Sequence, residues 1–498
     1  MAVSGFCINL HSKYDKNLNR TTMCSTYYLA VDLGATSGRT VLATFGDGRV
    51  TMREFTRFKN PQIPLGGHIF WDLPHLYNEI VDALRKVKAE GITLTSIGID
   101  TWGCDVAFFG RDGQLLGLPY CYRDPHTDGA MERFFAERMP QQELYDRTGI
   151  QFMPFNTLFH LDTLRREGCT ALAEADKILF IPDALIYMLT GEAVCEYTVA
   201  STSQMLNPNL GDLDPAILAT LNLGRDKFGR MVQPGQQVGV LSTQVQEVTG
   251  LGAVPIVAVG SHDTASAVAA VPAANGNYAY LSCGTWSLLG IESPKPIITS
   301  DSYRHNFTNE GGLDGTIRFL KNITGLWIFE QCRKEWIATM PDAIPADVNE
   351  LNAQSLTSTC QSLINPDDPR FAHPASMTAA ICAYLTETGQ PLPQTPADYV
   401  RVIFRSLAAR YAEIIGILRH IAPVDIQRLH VIGGGSRNEF LMQFAADALQ
   451  LPVIAGPQEG TALGNALVQV RAAGHVGSLA DMRAIISQSI ELRTFIPS

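Results

Sequence analysis

Four short blocks of this chain combine the residue types that phosphoryl transfer uses. The first is Asp32-Leu33-Gly34-Ala35-Thr36-Ser37-Gly38-Arg39, set between apolar, β-branched runs at 29–31 and 40–45. A turn of small residues offers backbone N–H groups to phosphate oxygens, its aspartate can face a divalent cation, and its guanidinium suits negative charge. Phosphate-cradling turns ordinarily feed a helix. Here the following residues have strand composition and no helical spacing, so the turn is expected to be a hairpin. A looser copy lies at 279–291, where Gly284-Thr285 separates Ala279–Cys283 from Trp286–Ile291. Two such hairpins facing each other would clamp one nucleotide from both sides.

The third block, Ser261-His262-Asp263-Thr264, follows the all-apolar run 254–260 and precedes a helical stretch. Asp263 has two readings there: a helix N-cap, worth about 1 kcal/mol, or a base facing an inter-domain cleft, kept ionised by the helix dipole. His262 beside it reads as a packing or capping histidine. The fourth block, Gly433-Gly434-Gly435 between a buried strand and a helix, lets the backbone approach a flat or phosphorylated ligand. It lacks the GxGxxG spacing and the later acidic residue of a dinucleotide fold. Asp32 reads either as a turn former or as a metal-facing carboxylate, and Arg39 as sheet cover or phosphate ligand. Asp100, Trp102 and Asp105 join two strands, Trp102 as core, and Gly103 marks a close approach to the backbone.

The elements that would position these blocks fall into two halves. With 498 residues the chain is too long for one core. Residues 29–58 read as an antiparallel meander, followed by a helix at 74–91, a strand at 95–100 and another at 106–109. That order is the β-β-β-α-β of a ribonuclease H-like domain. Residues 141–230 read mainly as a helical annex. After a linker at 273–277 the theme repeats: a hairpin at 278–292, a helix near 323–337, a loop-rich stretch at 340–375, a long amphipathic helix at 396–420, a strand at 427–432 and a helix at 439–449. The expected fold is α/β, with two ribonuclease H-like (actin-like ATPase) domains around a central cleft. The expected boundaries are an N-terminal extension at 1–25, a first domain at 26–262, a second at 263–485 and a tail at 486–498.

Composition narrows the function class. Net charge is −11, from 38 basic and 49 acidic residues, and phosphate contacts to nucleic acid need clustered Lys and Arg, so nucleic acid is not expected as a partner. The ten cysteines show no CxxC pair and no zinc-like spacing, and the default is reduced thiols in a cytoplasmic protein. A Cys360–Cys382 bridge is conceivable but spacing does not argue it. No run of 18 apolar residues occurs, and residues 2–10 lack a signal peptide's basic start. No membrane role is expected.

With these residues in hand, the chain resembles the FGGY carbohydrate kinases from about Tyr27 to Pro497. The resemblance rests on VDLGATSGR (31–39), SIGIDTWG (96–103), GLPYCYRD (117–124), TGIQFMPFNTL (148–158), SHDTASAV (261–268), LSCGTWSL (281–288), TNEGG (308–312), KNITGLW (321–327), HVIGGGSRN (430–438) and AGPQEGTALGN (455–465). VDLGATSGR and GTW alone point only to the actin-like ATPase superfamily; DTWG and SHDTASAV are more particular. The resemblance implies ATP as phosphoryl donor, Mg²⁺ held by Asp32, and L-rhamnulose phosphorylated at its C1 hydroxyl. It places Ala35, Thr36, Ser37, Gly38 and Arg39 on the ATP phosphates, Thr285 opposite them and Gly434 near the adenosine. Gly103, His262, Asp263, Thr264 and Asn322 would contact the sugar, with Asp263 as proton acceptor. One nucleotide-contacting position departs: relatives carry glutamine where this chain has Glu330, followed by Gln331. A monomer or homodimer is expected. Rival readings are a kinase of another ketose, of fuculose or xylulose type, an actin-like ATPase indifferent to sugars, and a silent sugar sensor. The 261–264 block with Asn322 argues against the ATPase, and the intact Asp263 against the sensor.

Overall fold

A computed structural model describes residues 25–273, 276–372, 374–422 and 424–498. The expected N-terminal extension lies outside them but for Ser25, and the expected linker at 273–277 lies partly outside.

The first lobe is built on the meander β1 (Thr26–Leu33), β2 (Ser37–Gly46) and β3 (Arg49–Lys59), followed by α1 (Leu73–Ala89) and β4 (Leu94–Thr101). β-branched and aromatic residues recur in these strands, and β1 and β4 carry continuous buried runs. Helix α1 buries Leu76, Ile80, Leu84 and Val87 on one face and is capped by Asp72, with a proline in its first turn. Strands β5 (Gln237–Val240) and β6 (Pro255–Val257) complete a six-stranded sheet in the order β5-β6-β4-β1-β2-β3. The register sets Asp32 between Arg39 on the antiparallel side and Asp100 on the parallel side. Helix α2 (Asp263–Ala269) follows directly.

The second lobe repeats the plan. Strands β7 (Ala279–Cys283), β8 (Trp286–Ser293), β9 (Thr308–Gly311) and β10 (Ile317–Thr324) are antiparallel neighbours. Helices α3 (Trp327–Thr339) and α4 (Pro396–Ile421) precede β11 (Leu429–Ile432). Then come α5 (Glu439–Leu449), β12 (Val453–Ala455), α6 (Gly460–Ala472), α7 (Leu479–Ser489) and β13 (Arg493–Phe495). The seven-stranded sheet runs β9-β10-β8-β7-β11-β12-β13. In each sheet a three-stranded meander is extended by parallel strands, so β3-β2-β1-β4-β6 corresponds to β10-β8-β7-β11-β12.

Several expectations need correction. The stretch read as helical from 323 belongs at first to β10: Ile317, Phe319, Ile323 and Thr324 favour a strand, and α3 starts only after Gly325. Within 486–498, expected as a C-terminal tail, α7 runs on to Ser489 and β13 pairs antiparallel with β12. The annex, expected to be mainly helical, also holds short strands: 177–180 pairs with the expected strand at 106–109, and 194–196 pairs with 230–232. The eight cysteines of the described residues are free thiols, Cys360 and Cys382 among them.

The lobes meet where α6 lies on β1 and β4 and crosses α2. A Cβ on Gly464 would stand 1.8 Å from the Ser266 carbonyl oxygen, so only glycine permits this crossing. Asn465 Nδ2 donates to Asp100 Oδ2 at 2.5 Å, and Gln469 Nε2 donates to Asn465 Oδ1 and to the Leu29 carbonyl. No helix among the described residues is long and apolar enough to cross a membrane.

Candidate active site

A cleft of about 340 Å³ opens between the lobes. Both hairpin turns line it, and each is braced from behind. Gly34 N–H donates to the Ser37 carbonyl at 2.9 Å, while Asn60 at the end of β3 donates to the carbonyls of Gly34 and Thr36. In the second lobe, Gly284 N–H donates to the Trp286 carbonyl at 2.8 Å, and the N–H groups of Gly325 and Leu326 bond the carbonyls of Thr285 and Gly284. The third glycine block joins them. A Cβ on Gly435 would collide with Cys283, whereas a Cβ on Gly434 would meet nothing within 4 Å, so Gly435 serves packing and Gly434 faces open cleft.

Asp263 stands at the first residue of α2. The N-cap is His262, and no side chain caps this helix, so the Asp263 carboxylate is not engaged as a cap. It accepts from Thr264 Oγ1 at 3.1 Å, and His262 Nε2 lies 3.5 Å from its Oδ1. About a third of the side chain is exposed, on the cleft wall. The corner that presents it is held by distant elements. Thr101 N–H donates to the Ser261 carbonyl at 2.9 Å. Ser261 N–H donates to Glu196 Oε2 at 3.3 Å, and His262 N–H to Thr198 Oγ1 at 3.2 Å. Glu196 is fully buried, and burial pushes its carboxyl up to about 7 against the bonds it accepts from Thr198, Val199 and Ser261.

At the sugar end, Gly103 approaches Thr202 so closely that a Cβ would stand 2.7 Å from its hydroxyl. The next residue, Cys104, has φ of 73° and donates its N–H to Thr202 Oγ1. That is strain of the kind stored at ligand sites. Asn322 on β10 donates both its N–H and Nδ2 to Gln151 Oε1, at 2.9 and 3.1 Å, tying the annex to the second lobe. Phe155, Tyr122 and Trp286 form an aromatic wall.

Of the residues singled out in the sequence, Ala35, Thr36, Gly103, His262, Asp263, Thr264, Thr285, Asn322 and Gly434 line this one cleft. Asp32, Ser37, Gly38, Arg39 and Glu330 do not. Gly38 is a packing glycine, since a Cβ there would lie 2.3 Å from the Phe58 ring. Arg39 donates from Nη2 to Asp32 Oδ2 at 2.7 Å and pairs across the lobes with Glu459. Glu330 is half exposed on α3, 3.7 Å from Arg333 Nη1, and Gln331 beside it is also outside the cleft lining. Sequence reasoning missed Gln151, Glu196, Thr202, Glu310 and Arg318. Only Gln151, Glu196 and Arg318 had a local signal, being polar residues within apolar surroundings.

The carboxylates near the first turn fit a cation completed by substrate. Burial pushes Asp32 up, with Arg39 pulling against it and Asp263 and Glu459 adding repulsion. Asp100 is driven well above the usual carboxylate range by burial and by Asp32, and its Oδ1 has no hydrogen-bond partner. Among the described residues no group of three or more His, Cys, Asp or Glu side chains could hold a metal by itself. Mg²⁺ typically takes one or two carboxylates and fills its remaining positions with water and phosphate oxygens, which this pair suits.

Family models match both lobes: the N-terminal domain of the FGGY family of carbohydrate kinases over residues 27–270 and its C-terminal domain over 279–473. Similar curated proteins include the rhamnulokinase of Bacteroides thetaiotaomicron, 52% identical over 94% of this chain and 96% of that protein. The rhamnulokinase of Pectobacterium atrosepticum is 42% identical over 94% of this chain and 92% of its own. Among solved structures, a ligand-bound xylulose kinase from Lactobacillus acidophilus superposes with a TM-score of 0.78 at 16% identity, covering 95% of this chain and 94% of that one. Plasmodium falciparum glycerol kinase with ADP gives 0.76 at 16% identity, with the same coverage. At such identities these two share the fold. Two lobes matched in order, and relatives aligned along nearly the whole chain, make this protein a member of the FGGY family of carbohydrate kinases.

Proposed function

We propose that the protein transfers the γ-phosphoryl group of ATP to the C1 hydroxyl of L-rhamnulose, giving L-rhamnulose 1-phosphate and ADP, as a step of L-rhamnose catabolism. The observation that carries this reading is Asp263: a carboxylate uncommitted to capping, on the wall of a cleft shared by both hairpin turns. The names of the similar curated proteins support the choice of acceptor.

In this reading the N–H groups around Ala35 and Thr36 meet the phosphates from one side and Thr285 from the other, with the adenosine over Gly434. Gly103, His262, Thr264 and Asn322 hold the ketose. Asp263 aligns the C1 hydroxyl with the γ-phosphorus and takes its proton as the new O–P bond forms and the bond to the ADP oxygen breaks. Proton loss late in a loose transition state asks little basicity of that carboxylate. Asp32, with Asp100 beside it, would hold Mg²⁺, whose chemistry there is neutralisation of charge on the terminal phosphates. Arg39 keeps Asp32 in place and adds positive charge behind the first turn. Closing the lobes over the aromatic wall would exclude water and protect ATP from hydrolysis. We place the protein in the cytoplasm, where ATP is available, as a monomer or homodimer.

A coupled assay of ADP release tests this across L-rhamnulose, L-fuculose, D-xylulose, glycerol, gluconate and no sugar. The reading expects release that depends on L-rhamnulose and matches the sugar phosphate formed. Release indifferent to sugar refutes it.

A further inference from the structure

We infer that Glu310 is a sugar-binding residue, an ionised acceptor for a ketose hydroxyl between His262 and Asn322. The inference rests on the kinase reading above. Glu310 lies on β9, lines the cleft together with Thr308, His262 and Asn322, and is 4% exposed. Its Oε2 stands 3.1 Å from Arg318 Nη2 and 3.2 Å from His262 Nδ1. Neither contact has the alignment of a hydrogen bond, and Oε2 is closed off from the cleft between them, so a hydroxyl in the cleft would meet this carboxylate at Oε1. Although burial pushes the carboxyl up, the Arg318 guanidinium and His262 hold it below the usual range, so it is ionised at neutral pH.

Stability alone does not call for such a group. A buried ion pair is on average no better than apolar residues of the same volume, and a carboxylate oxygen left without a donor is costly. Arg318 is wholly buried, donates from Nε to the Gly311 carbonyl at 2.8 Å and shares Nη2 with His262 Nδ1 at 3.1 Å. This cation fixes Glu310 and His262 together around Oε2 and leaves Oε1 as the acceptor the carboxylate offers to the sugar end of the cleft. A carboxylate offers about four acceptor sites and no donor, so it selects for a hydroxyl there.

The test uses Glu310→Gln, which keeps the size of the side chain. L-rhamnulose binding by calorimetry, KM for L-rhamnulose and for ATP, and Tm are measured on both proteins. The expected result is sugar affinity weakened by roughly 10- to 100-fold, the scale of a hydrogen bond to a charged group, with the ATP KM changed less than about 2-fold. Among 3-deoxy, 4-deoxy and 5-deoxy analogues, one should bind both proteins equally, identifying the hydroxyl. Unchanged sugar affinity, or equal loss for both substrates with a lowered Tm, overturns the inference. Should Glu310→Gln fail to fold, Glu310→Asp retains a charge for Arg318 and is read by the same outcomes. Wild-type protein that neither binds nor phosphorylates L-rhamnulose brings down the kinase reading and this inference with it. An unaffected variant of an active enzyme brings down this inference alone.

Discussion

Gly464→Ala tests whether the tight crossing of α6 over α2 is what fixes the reacting carboxylate. The added Cβ would lie 1.8 Å from the Ser266 carbonyl oxygen and 2.7 Å from its carbon. Both are backbone atoms, so no rotamer change relieves the clash, and the helices must part by more than an ångström. Overpacking of this kind typically costs about 1–3 kcal/mol. The movement also reaches Asp263, three residues before Ser266 on the same short helix, and an ångström of misplacement can cost on the order of 10² in rate. The assay pairs thermal unfolding with steady-state kinetics: Tm should fall by several degrees and kcat by about 10². Gly434→Ala is the counterpart. A Cβ there meets nothing within 4 Å of protein, so Tm should stay at the wild-type value while the ATP KM rises several-fold or more. Wild-type Tm and kcat in Gly464→Ala would refute the reasoning, because the helices would then separate freely without disturbing Asp263.

Two further predictions concern the buried charges. Arg39→Gln removes the guanidinium that donates to Asp32; the ATP KM should rise by the equivalent of about 1.5–3 kcal/mol with sugar affinity unchanged, and an unchanged ATP KM would assign Arg39 to ion pairing alone. Burial pushes the Asp105 carboxyl from 3.8 up to about 7, against hydrogen bonds from Trp71, Trp102 and Tyr122. Because its folded value is raised, the stability it contributes is complete below 3.8 and is lost as pH rises to about 7. Asp105→Asn should therefore flatten the fall in unfolding free energy across that window, by up to roughly 1.4 kcal/mol per pH unit; denaturant titrations from pH 5 to 8 check this, and an unaltered slope contradicts it.

The features legible in the sequence were those written in contiguous residues. The hairpin at 32–39, its copy at 281–288, the strand-to-helix corner at Asp263 and the glycine run at 433–435 each carry their signal within a few positions. All four reach the cleft or its immediate backing. What was not legible is set by partners far apart in the chain. Arg39 meets Glu459, Asp100 meets Asn465, Asn322 meets Gln151, and the Asp263 corner hangs on Glu196 and Thr198. No local spacing announces such pairs. The helix expected from 323 failed because the apolar residues of β10 run directly into those of α3, and only Gly325 marks the change. Gly38 looked like part of a phosphate turn, yet its lack of a side chain answers to Phe58, a contact set by the pairing of β2 with β3.

The central claim is that Asp263 receives the proton of the acceptor hydroxyl, and Asp263→Asn tests it most directly. Asparagine keeps the side chain's shape and its acceptor for Thr264 while removing the base. L-rhamnulose and ATP should bind within a few-fold of wild type by calorimetry, and L-rhamnulose-dependent ADP release should fall by about 10² or more, the scale of general-base loss. A variant that binds both substrates and retains most of its turnover would contradict the account.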